Sequence, residues 1–243
     1  MAEPEVDPHV LARAASRVWS FRQRFELEAA SRFARLADQL STLGAHPRVV
    51  ALTREAASDE LRHASDCLQL VVHFGGDVPE TRDEPATRVA PAELGRREAV
   101  LYEVVAMSCV TETLSCALLG ALVERARDPR VRQVMHAILR DEVRHSQLGW
   151  AHLEAERERI PVALLADYLP AMLSATVQEE LFISRDDHPL EEPLSGLGAL
   201  SRKQRLTVFD RSMHEVVLPG LERYGVDTSQ GARWLKTQLA GAL

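Results

Sequence analysis

The sequence predicts an all-α protein on three observations. Its 243 residues include only 12 glycines, 12 prolines and 5% aromatic residues, whereas the helix formers Ala, Leu, Arg and Glu are abundant. Apolar residues recur at steps of three, four or seven along several long segments, which is the spacing of one helix face. A short motif also occurs twice in the same sequence context, which indicates an internal duplication.

The repeated motif is Asp-Glu-x-Arg-His, at residues 59–63 and again, 82 residues later, at 141–145. A Pro-Arg-Val tripeptide stands 13 residues before the glutamate in both copies, so we interpret the repeat as a duplicated helical hairpin. A glutamate and a histidine three positions apart lie on one helix face and offer an oxygen and a nitrogen to one point. The two pairs are Glu60 with His63 and Glu142 with His145.

Bulk properties exclude several classes of protein. The formal charge of -7 argues against a nucleic-acid partner, which requires a basic stripe. We find no signal or transit peptide and no run of about 18 to 20 uninterrupted apolar residues, so we expect a soluble, cytoplasmic protein without a membrane partner. The three cysteines lack a Cys-x-x-Cys spacing and are predicted to be reduced core thiols. They are Cys67, Cys109 and Cys116.

The first hairpin is predicted from its start and stop signals. Asp7-Pro8 supplies an N-cap and a first-turn proline, and the amphipathic pattern then continues to Leu43. Pro47 opens a second helix that ends near Gly75-Gly76. Residues 75–91 are too polar and too rich in proline for a helix and are expected to cross over to a second hairpin.

The second hairpin repeats this arrangement. A third helix is predicted from about Gly95 to Arg127, with Glu112 at the centre of an otherwise apolar face. Asp128-Pro129 restarts the chain into a fourth helix that continues to Arg159. The fold class expected is therefore a four-helix bundle with one long crossover.

Beyond Pro161 the pattern stays helical but the duplication ends. We expect a bundle domain over 8–160 and a helical extension over 161–243 that packs on it. The extension could lie outside the bundle, cover an opening or form a dimer face, and the sequence does not choose among these. Its expected elements are a helix over about 162–184 kinked at Pro170, a polar loop over 185–199, a helix from Ser201 to Tyr224 and a last helix from about Ser229.

A metal centre between two hairpins needs one more carboxylate from the helix before each Glu-x-x-His. Glu112 is that candidate on the third helix. On the first helix Glu26 and Glu28 compete. At about 100° per residue, Glu26 lies roughly 60° from the centre of the apolar stripe and Glu28 roughly 100° from it on the other side. Periodicity prefers Glu26, whereas spacing to Glu60 does not decide.

The expected donor set has a definite chemistry. Four carboxylates and two neutral imidazoles suit iron or manganese better than soft ions. Four negative charges in one buried cluster require cations, and two divalent ions would make the site neutral. The carboxylates therefore imply the metal.

The pattern Glu26 … Asp59-Glu60-x-x-His63 … Glu112 … Asp141-Glu142-x-x-His145 resembles the ferritin-like di-iron superfamily, which includes rubrerythrin, bacterioferritin and the ribonucleotide reductase small subunit. Segments 26–37, 109–113 and 141–145 look like a group of bacterial ferritin-like domain proteins. The resemblance covers about residues 18–155 and implies a ferritin-like bundle that holds two iron ions, with a manganese–iron pair as the alternative.

The resemblance also implies roles for the individual side chains. Glu60 and Glu142 would bridge the ions, and Glu26 and Glu112 would be terminal ligands. His63 and His145 would each bind one ion. Asp59 would hold His145 and Asp141 would hold His63, since ligating histidines usually donate their other N–H to a carboxylate.

Two functional hypotheses follow. The first is a di-iron oxygenase or oxidase that uses O2 to hydroxylate, N-oxygenate or desaturate a small organic substrate, with electrons from a donor such as a ferredoxin or a flavoprotein reductase. The helices after residue 160 favour it, because storage ferritins do without them. The alternative is iron handling, as a ferroxidase, a store or a peroxide scavenger. A non-catalytic helical scaffold is disfavoured because buried carboxylates without metal would be destabilising.

The oligomeric state and the roles of four further side chains have more than one interpretation. Long bundles of this sort commonly pair, so a homodimer is one expected state, but the sequence does not decide it. Four further side chains could reach the site as an extra ligand or a substrate contact, although a structural or solvated role is the alternative for each. They are His152, Glu179, Glu180 and His214.

Overall fold

The computed structural model describes residues 7–78, 88–181 and 190–242, without the side chains of 178–180 and 242. In these ranges the chain forms eight helices and no strand, which confirms the all-α prediction. In chain order they are α1 (Pro8–Thr42), α2 (Pro47–His73), α3 (Arg96–Val123), α4 (Pro129–Glu156), α5 (Leu165–Leu181), α6 (Glu191–Ser195), α7 (202–222) and α8 (Ser229–Ala242).

The long helices begin where their capping residues require. The Asp7 side chain accepts a hydrogen bond from the His9 N–H, with proline at the first helical position. The Asp128 side chain accepts from the N–H groups of Arg130 and Val131, again ahead of a proline. An N-cap carboxylate satisfies N–H groups that have no partner within the helix. The predicted starts of α1 and α4 are therefore correct.

Helix α3 differs from the regular helix expected. Its residues Val105–Glu112 form a π-helix between two α-helical segments. The Thr111 hydroxyl donates to the Ala106 carbonyl, five residues earlier, at 3.0 Å. A π-helical turn widens the helix and often marks a functional site. Here it ends at Glu112, so it sets the direction in which this carboxylate leaves the helix.

The four long helices form the bundle. α1 packs along α2, α3 packs along α4, and α2 contacts α4 between the two pairs. Residues 79–87, at the centre of the predicted crossover, lie outside the described residues. A continuous apolar core extends from the bundle into α5 and α7, which both pack on α3. The extension after residue 160 thus covers α3.

The polar loop predicted over 185–199 is partly wrong. Residues 182–189 lie outside the described ranges, but α6 follows them, with Pro193 in its first turn, where proline is tolerated. The segment docks on α1, because the Trp19 indole N–H donates to the Leu197 carbonyl at 2.9 Å. Gly198, at φ +105°, lies against the same indole, and a side chain there would clash with it.

Other boundaries shift by a few residues. α3 ends at Val123 instead of Arg127, and α4 at Glu156 instead of Arg159. The α3–α4 turn is held from outside, because the Arg127 N–H donates to the Gly196 carbonyl at 2.9 Å. Pro170 lies inside α5, which follows a 3₁₀ turn at Val162–Leu164.

Helix α3 is also long and apolar enough to cross a membrane by composition alone. Sixty-seven per cent of its most apolar window is buried within the protein, and Glu112 interrupts it. Burial of this kind is the property of a core helix.

Candidate metal centre

The six side chains predicted as ligands come together in the interior of the bundle. One group joins Glu26, Glu60, His63 and Glu142, and the other joins Glu60, Glu112, Glu142 and His145. In each group, one potential ligand atom per residue lies within 4.8 Å of all the others. Glu60 and Glu142 belong to both groups, which is the arrangement that two bridging carboxylates would have.

The cluster is removed from solvent. Glu60, Glu112, Glu142 and both histidines are at most 3% exposed, and Glu26 is half-buried. The competing first-helix residue Glu28 instead pairs with Arg32, one helical turn away on the protein surface. The structure therefore brings Glu26, not Glu28, into the cluster.

Each histidine turns its Nδ1 atom toward the carboxylates. His63 Nδ1 lies 3.2 Å from Glu60 Oε2 and 3.6 Å from Glu26 Oε2. His145 Nδ1 lies 3.1 Å from Glu142 Oε2. The two imidazole centroids are 6.0 Å apart. The Nδ1 atoms are thus the ring nitrogens available to a metal.

The other nitrogen of each histidine faces an aspartate from the opposite half. His63 Nε2 lies 3.4 Å from Asp141 Oδ2, and His145 Nε2 lies 3.2 Å from Asp59 Oδ2. This is the crossed pairing that the resemblance implies. A carboxylate on this side fixes the ring and keeps the proton on Nε2, which leaves Nδ1 free to bind a metal.

Two arginines of the repeated motif extend this arrangement to the surface. Arg62 donates to Asp59 at 2.8 Å and to Asp141 at 2.5 Å. Arg144 lies 3.0 Å from an oxygen of each aspartate. The sequence analysis did not assign these arginines, although their recurrence in both copies of the motif was a usable signal.

In the metal-free cluster, the shifted pKa values favour positive charge beside the carboxylates. Burial lowers the pKa of His63 and His145, but the adjacent carboxylates outweigh it and raise these pKa values to about 11 and about 10. Burial raises the pKa of Glu60, yet contacts with both imidazoles lower it to about 2. Protonated histidines hold the positive charge that metal ions would otherwise supply.

The two terminal carboxylates respond in the opposite direction. Burial, followed by the charges of Glu142 and Glu60, raises the pKa of Glu112 well above its ordinary value. Burial above all also raises the pKa of Glu26. These groups therefore take up protons unless a cation lies beside them.

One buried atom tests the fit to a metal directly. Glu60 Oε1 has no hydrogen-bond partner, although His145 Nδ1 lies only 2.9 Å away. The contact does not have hydrogen-bond geometry, so this buried oxygen has no directed partner. An orphaned buried oxygen is costly, and a cation between these atoms would satisfy both. The donor set fits a pair of hard or borderline divalent ions.

A cavity of about 80 Å³ opens on the carboxylate side of the cluster. Glu26, Glu60, Glu112 and Glu142 form its polar end, and neither site histidine lines it. Within the described ranges its lining comes from α1 to α4 alone, so the C-terminal helices do not form its wall. The remaining lining residues are Phe21, Arg22, Phe25, Ala29, Thr111, Ser115 and Leu118.

The sequence analysis did not identify Ser115 as a residue of the site. Its hydroxyl donates to Glu142 Oε1 at 3.2 Å. It lies three residues after Glu112, which places both side chains on one face of the helix. Helical spacing from a known candidate was therefore the signal that could have identified it.

Two of the additional candidates, His152 and His214, lie outside the two ligand groups. His152 is buried, not solvated, and burial lowers its pKa to about 4. His214 is half exposed and contacts Asp210 on its own helix. The side chains of Glu179 and Glu180 lie outside the described residues. The three cysteines are free thiols and form no disulfide; Cys67 and Cys109 are fully buried and Cys116 is partly buried.

The fold and the cluster together define a ferritin-like helical bundle with a carboxylate–histidine site for two metal ions. The sequence profile of the Rubrerythrin family matches residues 23–149, which is more than half of the chain. The chain therefore belongs to the rubrerythrin family, a di-iron family.

A solved structure shares the fold over nearly the whole chain. It is described as protein 19 with aldehyde deformylating oxidase activity, from Synechococcus. It superposes with a TM-score of 0.62 at 20% sequence identity and covers 96% of this chain and 100% of its own. A comparison with curated protein sequences finds no match.

Proposed function

We propose that this protein is a non-haem di-iron oxygenase or oxidase that acts on a small, largely apolar molecule. The observation that carries this proposal is the cavity, which brings an apolar wall directly to the four carboxylates of the cluster. A site for iron storage alone needs ion access but no apolar pocket. Family membership and the fold of the Synechococcus oxidase support the same class of chemistry.

The proposed reaction has a simple balance. For hydroxylation, one O2, two electrons and two protons convert a C–H bond into C–OH and release one water. Two bound iron ions would supply the O2 chemistry, which amino-acid side chains do not provide. Glu26, Glu60, His63, Glu112, Glu142 and His145 would hold them.

The protein's own residues perform the remaining tasks. Phe21, Phe25 and Leu118 line the cavity and would shield a bound substrate from water. Thr111 and Ser115 provide hydroxyl groups beside Glu112 and Glu142 that can orient a polar atom of the substrate. A volume of about 80 Å³ accommodates a small molecule or one end of a larger one.

The experiment that tests this proposal measures oxygen transfer. Iron-loaded protein is reduced with dithionite, freed of reductant and mixed with ¹⁸O₂ and a panel of short aldehydes, amines and aromatic compounds. Mass spectrometry should find a product of the expected oxidation, with ¹⁸O retained where an oxygen is inserted. If the iron is oxidised at the same rate with every compound and no product forms, the proposal is wrong.

A matched variant connects the product to the cavity. Ala29→Phe should fill the pocket and lower product formation by about tenfold or more. A cavity sized for a small substrate cannot hold the new phenyl ring and the substrate together. Its iron content should stay at the wild-type value, since Ala29 is outside the ligand groups. Equal product from wild type and variant would place the substrate elsewhere.

The alternative is iron handling or peroxide scavenging, with which rubrerythrin-family membership is also consistent. Peroxide reduction consumes one H2O2, two electrons and two protons and gives two waters. Reoxidation of the reduced protein should then be much faster with H2O2 than with O2. Ferroxidase or storage activity should instead produce ferric mineral in a cage-sized particle.

The metal pair is a separate part of the proposal. We expect two iron ions per chain. We also expect the protein to be located in the cytoplasm. Elemental analysis of protein from cells grown with both iron and manganese should give two irons per chain. One manganese and one iron per chain would assign the mixed pair instead.

A further inference from the structure

A second functional surface lies over the histidine side of the cluster, on α2 and α4. We call it the basic patch, and it consists of Leu61, Arg62, Arg140, Val143 and Arg144. The arginine side chains are 47%, 69% and 48% exposed, respectively. The substrate cavity, in contrast, opens on the carboxylate side of the cluster and contains none of these residues.

The patch is basic although the whole chain carries a net charge of -7. Residues 54–66 and 130–147 contribute six exposed arginines, against Glu55 and Asp66 as the only acids there that are not buried. Glu60 and Glu142 are buried in the cluster, and the buried Asp59 and Asp141 pair with the patch arginines. Three arginines therefore face two aspartates, which leaves the patch with a net positive charge. A positive surface attracts an acidic partner, and in a symmetric contact it repels the same surface of a second copy.

Two exposed aliphatic side chains lie among these arginines. Leu61 is 57% exposed and Val143 is 43% exposed, and they occupy equivalent positions in the two copies of the motif. A single exposed aliphatic residue needs no explanation. Two of them in matching positions, each followed by an arginine, give the mixture of apolar and cationic groups that suits protein docking.

Hydrogen bonds connect the patch to both halves of the cluster. Arg62 contacts Asp141 at 2.5 Å, and Asp141 lies 3.4 Å from His63. Arg144 contacts Asp59 at 3.0 Å, and Asp59 lies 3.2 Å from His145. A redox group seated on the patch is therefore separated from the proposed metals by one arginine, one aspartate and one histidine.

We infer that the basic patch docks a small acidic one-electron carrier protein that reduces the metal centre. This inference rests on the proposed oxygenase function, which requires two electrons in each turnover. Two reduced carriers would each lose one electron, and these electrons with two protons would balance the reduction of O2 to the inserted oxygen and one water. The donor and the substrate would approach from different sides and would not compete.

The test uses a reduced plant-type [2Fe–2S] ferredoxin and a flavodoxin, both acidic, as probes. Calorimetric titration of the iron-loaded protein should detect binding of at least one of them. Affinity should fall by about tenfold or more when salt rises from about 50 mM to about 300 mM. Anaerobic stopped-flow spectroscopy should show electron transfer from the bound carrier to the ferric site.

Charge-inserting variants locate the surface. Leu61→Glu and Val143→Glu should each weaken carrier binding by about tenfold, because they place an acid at the centre of the patch. Both should keep the wild-type iron content, which would show that the cluster is intact. Val216→Glu is the matched control, since Val216 is 45% exposed on α7, and it should bind the carrier like the wild type.

Three results would overturn the inference. The first is failure of wild-type protein to bind either carrier. The second is equal weakening by Val216→Glu. The third is a change of oligomeric state in Leu61→Glu, seen by sedimentation, which would make the patch an interface between copies. Dithionite-driven product formation tests the oxygenase function independently, so failure of docking and failure of function remain distinguishable.

Discussion

The two halves of the duplicated bundle supply matching ligands but differ in the helix that precedes each motif. α1 is a regular α-helix over its full length, whereas α3 contains the π-helix Val105–Glu112. The Glu26 side chain is 12% exposed, while Glu112 is only 3% exposed. The terminal carboxylate of the first half is thus more accessible than that of the second half, although both halves line the cavity.

Equivalent positions show how the second half accommodates its wider helix. Counting 82 residues along, Cys67 of α2 corresponds to Gly149 of α4. A Cβ atom at Gly149 would lie 2.6 Å from the Ser108 Cβ and 2.9 Å from the Cys109 backbone nitrogen, both in the π-helix. The π-helix therefore approaches α4 so closely that only glycine fits. Both halves therefore contain the ligand motif, whereas the packing of the helix that precedes it differs between them.

The largest expected effect comes from removing a terminal ligand in either half. Glu26→Ala and Glu112→Ala should each lower metal affinity by more than about 100-fold, which exceeds the usual effect of losing a supporting carboxylate. Elemental analysis should find fewer than two ions per chain. Glu28→Ala is the matched control, because Glu28 pairs with Arg32 at the surface. Two ions per chain in Glu112→Ala would refute the ligand assignment.

The next effect tests the scaffold. Gly149→Ala should lower the free energy of unfolding by about 3 kcal/mol, since the added methyl meets backbone as well as side-chain atoms. Cys67→Ala, at the equivalent position of the first half, removes one buried sulfur and should cost about 1 kcal/mol. Urea unfolding of metal-free protein measures both. Equal losses would mean that the two helix pairs pack with the same closeness.

The two aspartates that contact the histidines should also differ in how much they support metal binding, with the larger effect in the second half. Asp141 is fully buried and contacts three arginines, whereas Asp59 is 8% exposed and contacts two. Replacing either by asparagine should weaken metal binding by roughly 10–100-fold, with Asp141→Asn at the upper end. Competition with a metallochromic chelator gives the affinities. A larger loss in Asp59→Asn would reverse the proposed asymmetry.

Features determined by local sequence signals could be predicted in both halves of the bundle. The starts of α1 and α4 were readable because Asp7-Pro8 and Asp128-Pro129 act locally. The repeated motif led to four of the six clustered side chains for a similar reason, since Glu and His spacing along a helix fixes their common face. Glu26 and Glu112 were instead predicted from the apolar stripes of the preceding helices.

The rest depends on packing between distant segments. The π-helix lies in a run of buried apolar residues, where a shift of register leaves no mark on the periodicity. α6 was missed because Pro193, Gly196 and Gly198 resemble a loop until Trp19 and Arg127 hold the segment in place. The cavity forms between side chains of different helices, so no single segment encodes it.

A further difference between the halves gives the smallest predicted effect. His152 of α4 corresponds to Leu70 of α2, and both are buried. Burial lowers the pKa of His152 to about 4, and its Nδ1 has no hydrogen-bond partner. The folded protein therefore keeps this imidazole neutral in a place where the other half has an apolar side chain.

The sign of the pH dependence follows from this lowered pKa. Between about pH 6.5 and about pH 4 the unfolded chain binds a proton at His152 that the folded chain does not, so acidification favours unfolding. From pH 7 to pH 5 the loss should be between about 1 and 2 kcal/mol. His152→Leu, which copies the first half, should remove this part of the acid sensitivity in urea unfolding. Identical pH profiles for variant and wild type would mean that His152 is protonated in the folded state.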